Sequence, residues 1–387
     1  MDNNKKICVY AICKNEIEFV DKWLDNVSEA DYIVVLDTGS TDGTYEKLKA
    51  DPRVTKVAQK EIKPWRFDVA RNESMKLIPE DADICVSTDF DELFDKGWAN
   101  LIRSNWRDGT ERMFYKYYWG QTAAGYWHDV FRADKVHVNN GNYYWKYPVH
   151  EVLMTKDDQP QNVIDLSEVL NLWHHQDKNK ANRRSYLDLL ALGAHENPND
   201  PHIRSLYARE FLTEFHIGKP ENIKAAVAEY LEILKLPVIN NQMYVMEKLH
   251  TLLQLALIYC VHYADYDNAI KYSLKFLKED QTYRDPYLVI IAALNAQKLY
   301  VLAESIAEAA EKNTYQHYTW IERQNTFLDW LPSMKAELKY GLGKYEEALA
   351  AIKEALKFAP NSSDLKRNME LIQSMVDKDK QTDKTAK

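Results

Sequence analysis

The run Thr88-Asp89-Phe90-Asp91-Glu92 sets two carboxylates two residues apart, just beyond a short apolar stretch. In an extended segment, residues two apart point the same way, so Asp89 and Asp91 can both face one ion. Hard carboxylate oxygens suit Mg2+ or Mn2+, and such an ion grips a diphosphate. Asp-Glu also opens helices as an N-cap, so the setting of the pair matters. Two more polar clusters share that setting: Lys14-Asn15-Glu16, and Asp37-Thr38-Gly39-Ser40-Thr41-Asp42-Gly43-Thr44.

Each cluster follows a run that reads as a strand. Ile7–Cys13, 32–36, 54–58 and Ile84–Ser87 are short and apolar, with β-branched residues in each. Helical spacing lies between them, at 17–27, from 44 and at 67–78. This β-α-β order predicts an α/β fold with a mostly parallel sheet and helices on both faces. Ligands of such sheets bind beyond the carboxyl ends of the strands, where the three clusters should converge. Residues 110–150 are dense in Tyr, Trp and Phe and read as antiparallel strands or long loops on the sheet edge. Their aromatics suit sheet packing or, alternatively, stacking against a sugar or acceptor.

From about residue 177 the pattern becomes helical. The stretch from Ala336 through Leu342-Gly343-Lys344-Tyr345-Glu346-Glu347-Ala348-Leu349 to Pro360 resembles a tetratricopeptide repeat. Weaker copies lie at 222–234, 259–277 and 299–303. One helix pair cannot bury its apolar face alone, so stacked pairs are expected. The predicted layout is a sheet domain over 1–176, a tetratricopeptide-like helical domain over 177–375 and a disordered tail over 376–387.

Composition narrows the classes. With 387 residues, 45% of them hydrophobic, the chain can fill more than one core. A net charge of -9 without a long basic run argues against nucleic acid or an anionic membrane as the main partner. The four cysteines form no Cys-x-x-Cys pair and are expected as buried free thiols. The first apolar run is too short for a secretion signal, and the longest runs are too short to span a bilayer. The expectation is a soluble cytoplasmic protein.

Taken together, the motifs resemble those of family 2 glycosyltransferases. Tyr32 to Thr44 is similar to that family's Asp-x-Gly-Ser-Thr-Asp-Gly-Thr signature. Asp68-Val69-Ala70-Arg71-Asn72 resembles its helix ending in Ala-Arg-Asn, and Asp89-Phe90-Asp91 its metal-binding step. The resemblance covers about 5–176. The subgroup most like this chain carries C-terminal tetratricopeptide-like helices and includes enzymes that glycosylate bacteriocin peptides on Cys or Ser.

The resemblance implies a GT-A fold, a UDP-sugar donor and Mn2+ or Mg2+ as cofactor. It implies that Asp37 accepts a hydrogen bond from the base and that Glu16 lies near the nucleoside. Arg71, on one helix face with Asp68, would reach the base or diphosphate. Asp89 would meet ribose or metal, and Asp91 would be the main metal ligand. Val149-His150-Glu151 and Trp173-His174-His175 resemble further subgroup segments. One of the two histidines, with His174 preferred, would complete the metal shell. An inverting transfer needs a carboxylate base. Glu151 is the first candidate and Asp129 the second; the family's usual Glu-Asp pair is not evident. The helical half would recruit a peptide acceptor or a second copy of the chain. Two rivals stand beside this reading: transfer to a cell-surface saccharide or lipid carrier, and a non-catalytic repeat scaffold.

Overall fold

In the computed structural model the described residues are 4–121, 127–157, 159, 161–175, 186–216 and 218–385. The chain has a sheet-rich N-terminal part and an all-helical C-terminal part. Contacts divide it into two units. The first holds Met1–Trp119 and Phe131–Pro198, and the second holds Gly120–Val130 and Asn199–Lys387.

In the first unit, strands β1 (Ile7–Cys13), β2 (Tyr32–Asp37), β3 (Lys56–Gln59) and β4 (Ile84–Ser87) alternate with helices α1 (Val20–Val27), α2 (Thr44–Ala50) and α3 (Phe67–Met75). Then come β5 (Glu92–Phe94), α4 (Trp98–Asn105), β6 (Arg112–Gln121) and β7 (Trp127–Val138). Next are β8 (Tyr143–Lys146), β9 (Val152–Thr155), β10 (Val163–Asp165), β11 (Asn171–His174) and helix α5 (Leu187–Glu196). The strand order is β3-β2-β1-β4-β7-β6-β11-β5, with β10 added beside β6. The first four strands are parallel, as the β-α-β pattern predicts.

The aromatic region departs from expectation. It does not lie on the sheet edge. Strand β7 pairs antiparallel with the central β4, and the short β5 closes that side of the sheet. Ala133 and Val136 of β7 are buried in the same core as Ile84 and Val86, and that burial holds the strand inside.

Strand β1 is buried on both faces. Ile7, Val9 and Ala11 share a core with Trp23 and Leu24 of α1 and Trp98 and Ile102 of α4. Cys8 and Tyr10 share another with Met75 of α3 and with Tyr143, Trp145 and Leu153 of the small β8–β9 sheet. Alternation along one apolar strand thus serves two layers. All four cysteines are free thiols, and Cys8, Cys13 and Cys85 are buried.

The first unit runs past the boundary expected at 176. Helix α5 belongs to it: Leu190 is buried, and Arg66 Nη1 meets Glu196 Oε1 at 2.7 Å. An interval with helical spacing had no way to announce which core would take it.

The second unit contains α6 (Pro201–His216), α7 (Asn222–Ile233), α8 (Val245–Val261), α9 (Tyr266–Glu279) and α10 (Asp285–Ala296). It continues with α11 (Tyr300–Lys312), α12 (Trp330–Gly341), α13 (Tyr345–Phe358) and α14 (Ser363–Thr385). Consecutive helices pack in pairs, with α12 on α13 and α8 on α9 among the tightest. The expected repeat copies fall on helices α7, α9, α11 and α12–α13. Small residues sit where helices meet: Ala269, Ala303, Ala348 and Ala355 are all fully buried. The tail expected to be disordered from 376 is helical through Thr385. Ile372 and Val376, one turn apart, are both buried and hold that helix to the unit.

Candidate functional site

The first two clusters meet through side-chain-to-backbone bonds. Asn15 turns the chain after β1 with a left-handed backbone (φ 59°). Its amide donates to Ser40 Oγ at 2.8 Å, and its side-chain oxygen accepts from Thr41 N at 2.8 Å. Asp42 Oδ2 accepts from Ile17 N, while Oδ1 accepts from Thr44 N and its hydroxyl. Glu16 is held beside this turn by its amide, which donates to Thr44 Oγ1 at 2.9 Å. Gly39 (φ 108°) and Gly43 (φ 94°) supply the backbone that a Cβ would strain.

Asp37 builds that turn. Its Oδ1 accepts from Gly39 N, Ser40 N and Gln59 Nε2 at 2.8–3.0 Å, and the residue is fully buried. Burial pushes its carboxyl up, but the donors from Ser40, Gln59 and Gly39 outweigh this and hold it below the usual value. Oδ1 thus shapes the loop. Oδ2 meets the Cys13 thiol at 3.5 Å.

Asp68 pairs with its neighbour Arg66. Its two oxygens take Arg66 Nε and Nη2 at 3.0 and 2.9 Å, and Arg66 goes on to Glu196. Asp68 is therefore a member of a structural ion-pair chain. Arg71, on the same helix α3, pairs elsewhere.

Arg71 is the centre of the site. It is 4% exposed and lies over the Trp145 ring, 4.9 Å from its centroid. Nη2 reaches both oxygens of Asp89 at 2.9 and 3.2 Å, and Nε reaches Glu151 Oε1 at 2.5 Å. Burial works against its charge, but Asp89 and Glu151 outweigh this and raise its pKa further. Burial also disfavours ionised Asp89, yet Arg71 and Lys135 keep that carboxyl well below the usual range. The Asp89 side chain is still 38% exposed, so a ligand can reach it. Asn72 fixes the platform: its side chain exchanges two hydrogen bonds with the Trp145 backbone, at 2.8 and 2.9 Å. Glu151 arrives on the loop between β8 and β9, where Tyr147 (φ 81°) and His150 (φ 52°) both take left-handed backbone.

Phe90 points inward. It is 3% exposed and stacks on Trp23 at 4.2 Å. Asp89 and Asp91 flank that anchor. Strand β11 runs antiparallel to β5 with His174 opposite Glu92, and this brings His174 Nε2 to 3.3 Å from Asp91 Oδ2. His175 instead gives its amide to the Asp91 carbonyl at 2.7 Å. Burial favours neutral His174, but Asp91 outweighs it and raises the imidazole pKa. The His174 ring also stacks near Trp119, with centroids 5.8 Å apart.

Sequence reasoning gave no roles to Glu92, Tyr117 and Lys135. Glu92 is 2% exposed. Its Oε2 accepts from Asp89 N at 2.9 Å, while Oε1 takes the Tyr117 hydroxyl at 2.9 Å and Lys135 Nζ at 3.2 Å. Burial opposes the Lys135 charge, but Glu92 and Asp89 prevail and raise its pKa. Nothing in the one-dimensional spacing links residues 92, 117 and 135. A Lys and a Tyr within apolar strand segments were the available signal.

Among the described residues, no group of three His, Cys, Asp or Glu side chains could enclose a metal ion. The donor set still fits a hard divalent ion whose shell is finished by ligand oxygens. Asp91 and His174 form an adjacent pair that would hold it, while Glu92 and Glu151 are taken up by the cations Lys135 and Arg71. Asp129, the second base candidate, lies in Gly120–Val130, the stretch that groups with the helical unit.

No family model matches the sequence, and no curated protein matches it. Similar solved structures include the first TPR domain of the human RPAP3 protein, at 18% identity and a TM-score of 0.30, covering 35% of this chain and 96% of that one. A thermophilic TPR protein of Thermus thermophilus has 18% identity and a TM-score of 0.35, covering 48% of this chain and 88% of that one. A tetratricopeptide repeat protein from Parabacteroides merdae has 14% identity and a TM-score of 0.37, covering 50% of this chain and 67% of that one.

Proposed function

We propose that the first unit is a GT-A-type glycosyltransferase that moves a hexose from a UDP-sugar to an acceptor with inversion, using Mn2+ or Mg2+. The observation that carries this reading is the meeting of Arg71 and Glu151 with Asp89 beyond β4, where Asp91 of the same acidic turn pairs with His174 of β11. A diphosphate is stabilised by nearby positive charge, which Arg71 and a metal held by Asp91 and His174 would supply.

Asp91 and His174 would hold the metal, which supplies charge for the leaving diphosphate. Arg71 adds a fixed guanidinium, aimed by Glu151 and Asp89 rather than free to swing. The turn at 37–44 and Glu16 flank the nucleoside, with Asp37 shaping the loop from behind. Trp119, 40% exposed, offers a ring face at the rim. The acceptor's proton goes to Glu151 at Oε2, since Oε1 is taken by Arg71. The bond from acceptor to anomeric carbon forms as the bond to the UDP oxygen breaks, and UDP leaves as the anion.

We propose a peptide Ser, Thr or Cys side chain as acceptor, recruited by the helical unit, because stacked helix pairs offer extended surfaces to peptides. Among the described residues, no helix is long and apolar enough to cross a membrane.

The test is calorimetric titration of UDP with and without Mn2+, followed by hydrolysis of a UDP-sugar panel and mass spectrometry of candidate peptides. Metal-dependent UDP binding is expected, with Asp91→Asn losing it by about tenfold or more. Equal UDP binding with and without metal would sink the proposal.

A further inference from the structure

The acidic turn has a keystone. Asp89 to Glu92 closes with a backbone bond from Glu92 N to the Asp89 carbonyl, 3.0 Å. The Glu92 carboxylate then reaches back to Asp89 N, so the same two residues are tied twice. Phe90 pins the turn from the core side. Two neighbouring strands hold the Glu92 carboxylate: β6 through the Tyr117 hydroxyl and β7 through Lys135 Nζ. Strand β11 sets His174 directly opposite Glu92. Strands β6 and β7 thus converge on the Glu92 carboxylate, while α3 and β11 deliver Arg71 to Asp89 and His174 to Asp91.

We propose that Glu92, clamped by Tyr117 and Lys135, is the positioning residue that fixes the Asp89–Asp91 turn for a complex of a divalent cation with a nucleoside diphosphate. This rests on the proposed function above. Glu92 itself touches neither ligand. A carboxylate buried with three donors has no spare direction in which to face solvent, and its geometry is set by the strands rather than by a ligand. Lys135 offsets one of the crowded carboxylates, so the turn can hold its shape before any cation arrives.

Tyr117→Phe is the informative variant. It removes one hydrogen bond to Glu92, changes no charge and keeps the ring packed against Phe131. The lost hydroxyl acts through Glu92, since the ring that faces His174 is kept. The full chain, as wild type, Tyr117→Phe, Glu92→Gln, Lys135→Met and Lys135→Arg, is titrated with UDP at zero and saturating Mn2+. The readout is the ratio of the two affinities, with thermal midpoints as a control for folding.

For Tyr117→Phe the gain from Mn2+ is expected to shrink about tenfold or more, the scale of one charge-assisted hydrogen bond, with metal-free UDP affinity unchanged. Glu92→Gln and Lys135→Met should lose more, and Lys135→Arg should recover most of the loss. If Tyr117→Phe and Glu92→Gln keep the wild-type gain, the inference is overturned. It is also overturned if metal-free and metal-bound affinities fall together, because that is general loosening. Should Glu92→Gln not fold, Tyr117→Phe decides alone. A wild type with no gain from Mn2+ removes the proposed function itself, and this inference with it.

Discussion

Arg71 shows what a single residue contributes here. Its guanidinium serves Asp89 with one nitrogen and Glu151 with another, and Trp145 covers its face. Lysine carries the same charge as a point on a flexible stem and cannot serve both carboxylates in one geometry. Arg71→Lys is expected to weaken Mn2+-dependent UDP binding about tenfold or more while the chain stays folded, as read by calorimetry and circular dichroism. Arg71→Ala is a poorer probe. It leaves Glu151, which is largely buried, without its cation and opens a gap under Trp145, so the chain is destabilised as well. Loss of binding there would mix two causes.

At the scale of elements, the helix pairs depend on close approach. Gly341 ends α12 against Tyr300, the first residue of α11, and a methyl group at 341 would drive into the Tyr300 ring. Alanine is otherwise the better helix former by about 1 kcal/mol. Ring displacement should win, because Tyr300 is packed with Leu294, Ala303 and Leu338 in one core. Gly341→Ala is expected to destabilise the helical unit by about 1–3 kcal/mol in urea unfolding. A stabilised variant would mean that the contact is soft.

The whole molecule carries a pH dependence that the candidate site does not set. Asp285, fully within the helical unit, has its carboxyl pushed up to about 7 by burial and by Glu322. Oδ2 lacks a hydrogen-bond partner among the described residues, while Oδ1 accepts from Arg323 N at 3.3 Å. In the unfolded chain the same group titrates near an ordinary aspartate value, about 4. Below pH 4 both states hold the proton, and stability owes nothing to it. Between about 4 and 7 only the folded state does, so stability falls as pH rises and then levels off. Asp285→Asn should flatten this slope and raise the thermal midpoint at pH 8. An unchanged slope would mean that another buried acid sets it.

Much of the architecture was legible because it rests on local periodicity. Apolar strands, helical spacing and the two glycines of the 37–44 turn are set by neighbours a few residues apart, and the parallel β1–β4 core with its polar strand ends follows from them. The acidic pair Asp89 and Asp91 was likewise available from residue type and place, whereas Arg71 came from the family resemblance. Pairing was not. A carboxylate's partner depends on which strands lie side by side, and that is a long-range fact. So Asp68 went to Arg66, Asp37 turned inward to its own loop, and Glu151 joined Arg71 across 80 positions. The interior place of β7 brought Lys135, and β6 brought Tyr117, to a glutamate that spacing had left as the tail of a motif. The sequence determined which segments would carry charge to the strand ends. Only the tertiary structure decided which charges would meet, because burial makes each of them take the partner that the packing leaves within reach.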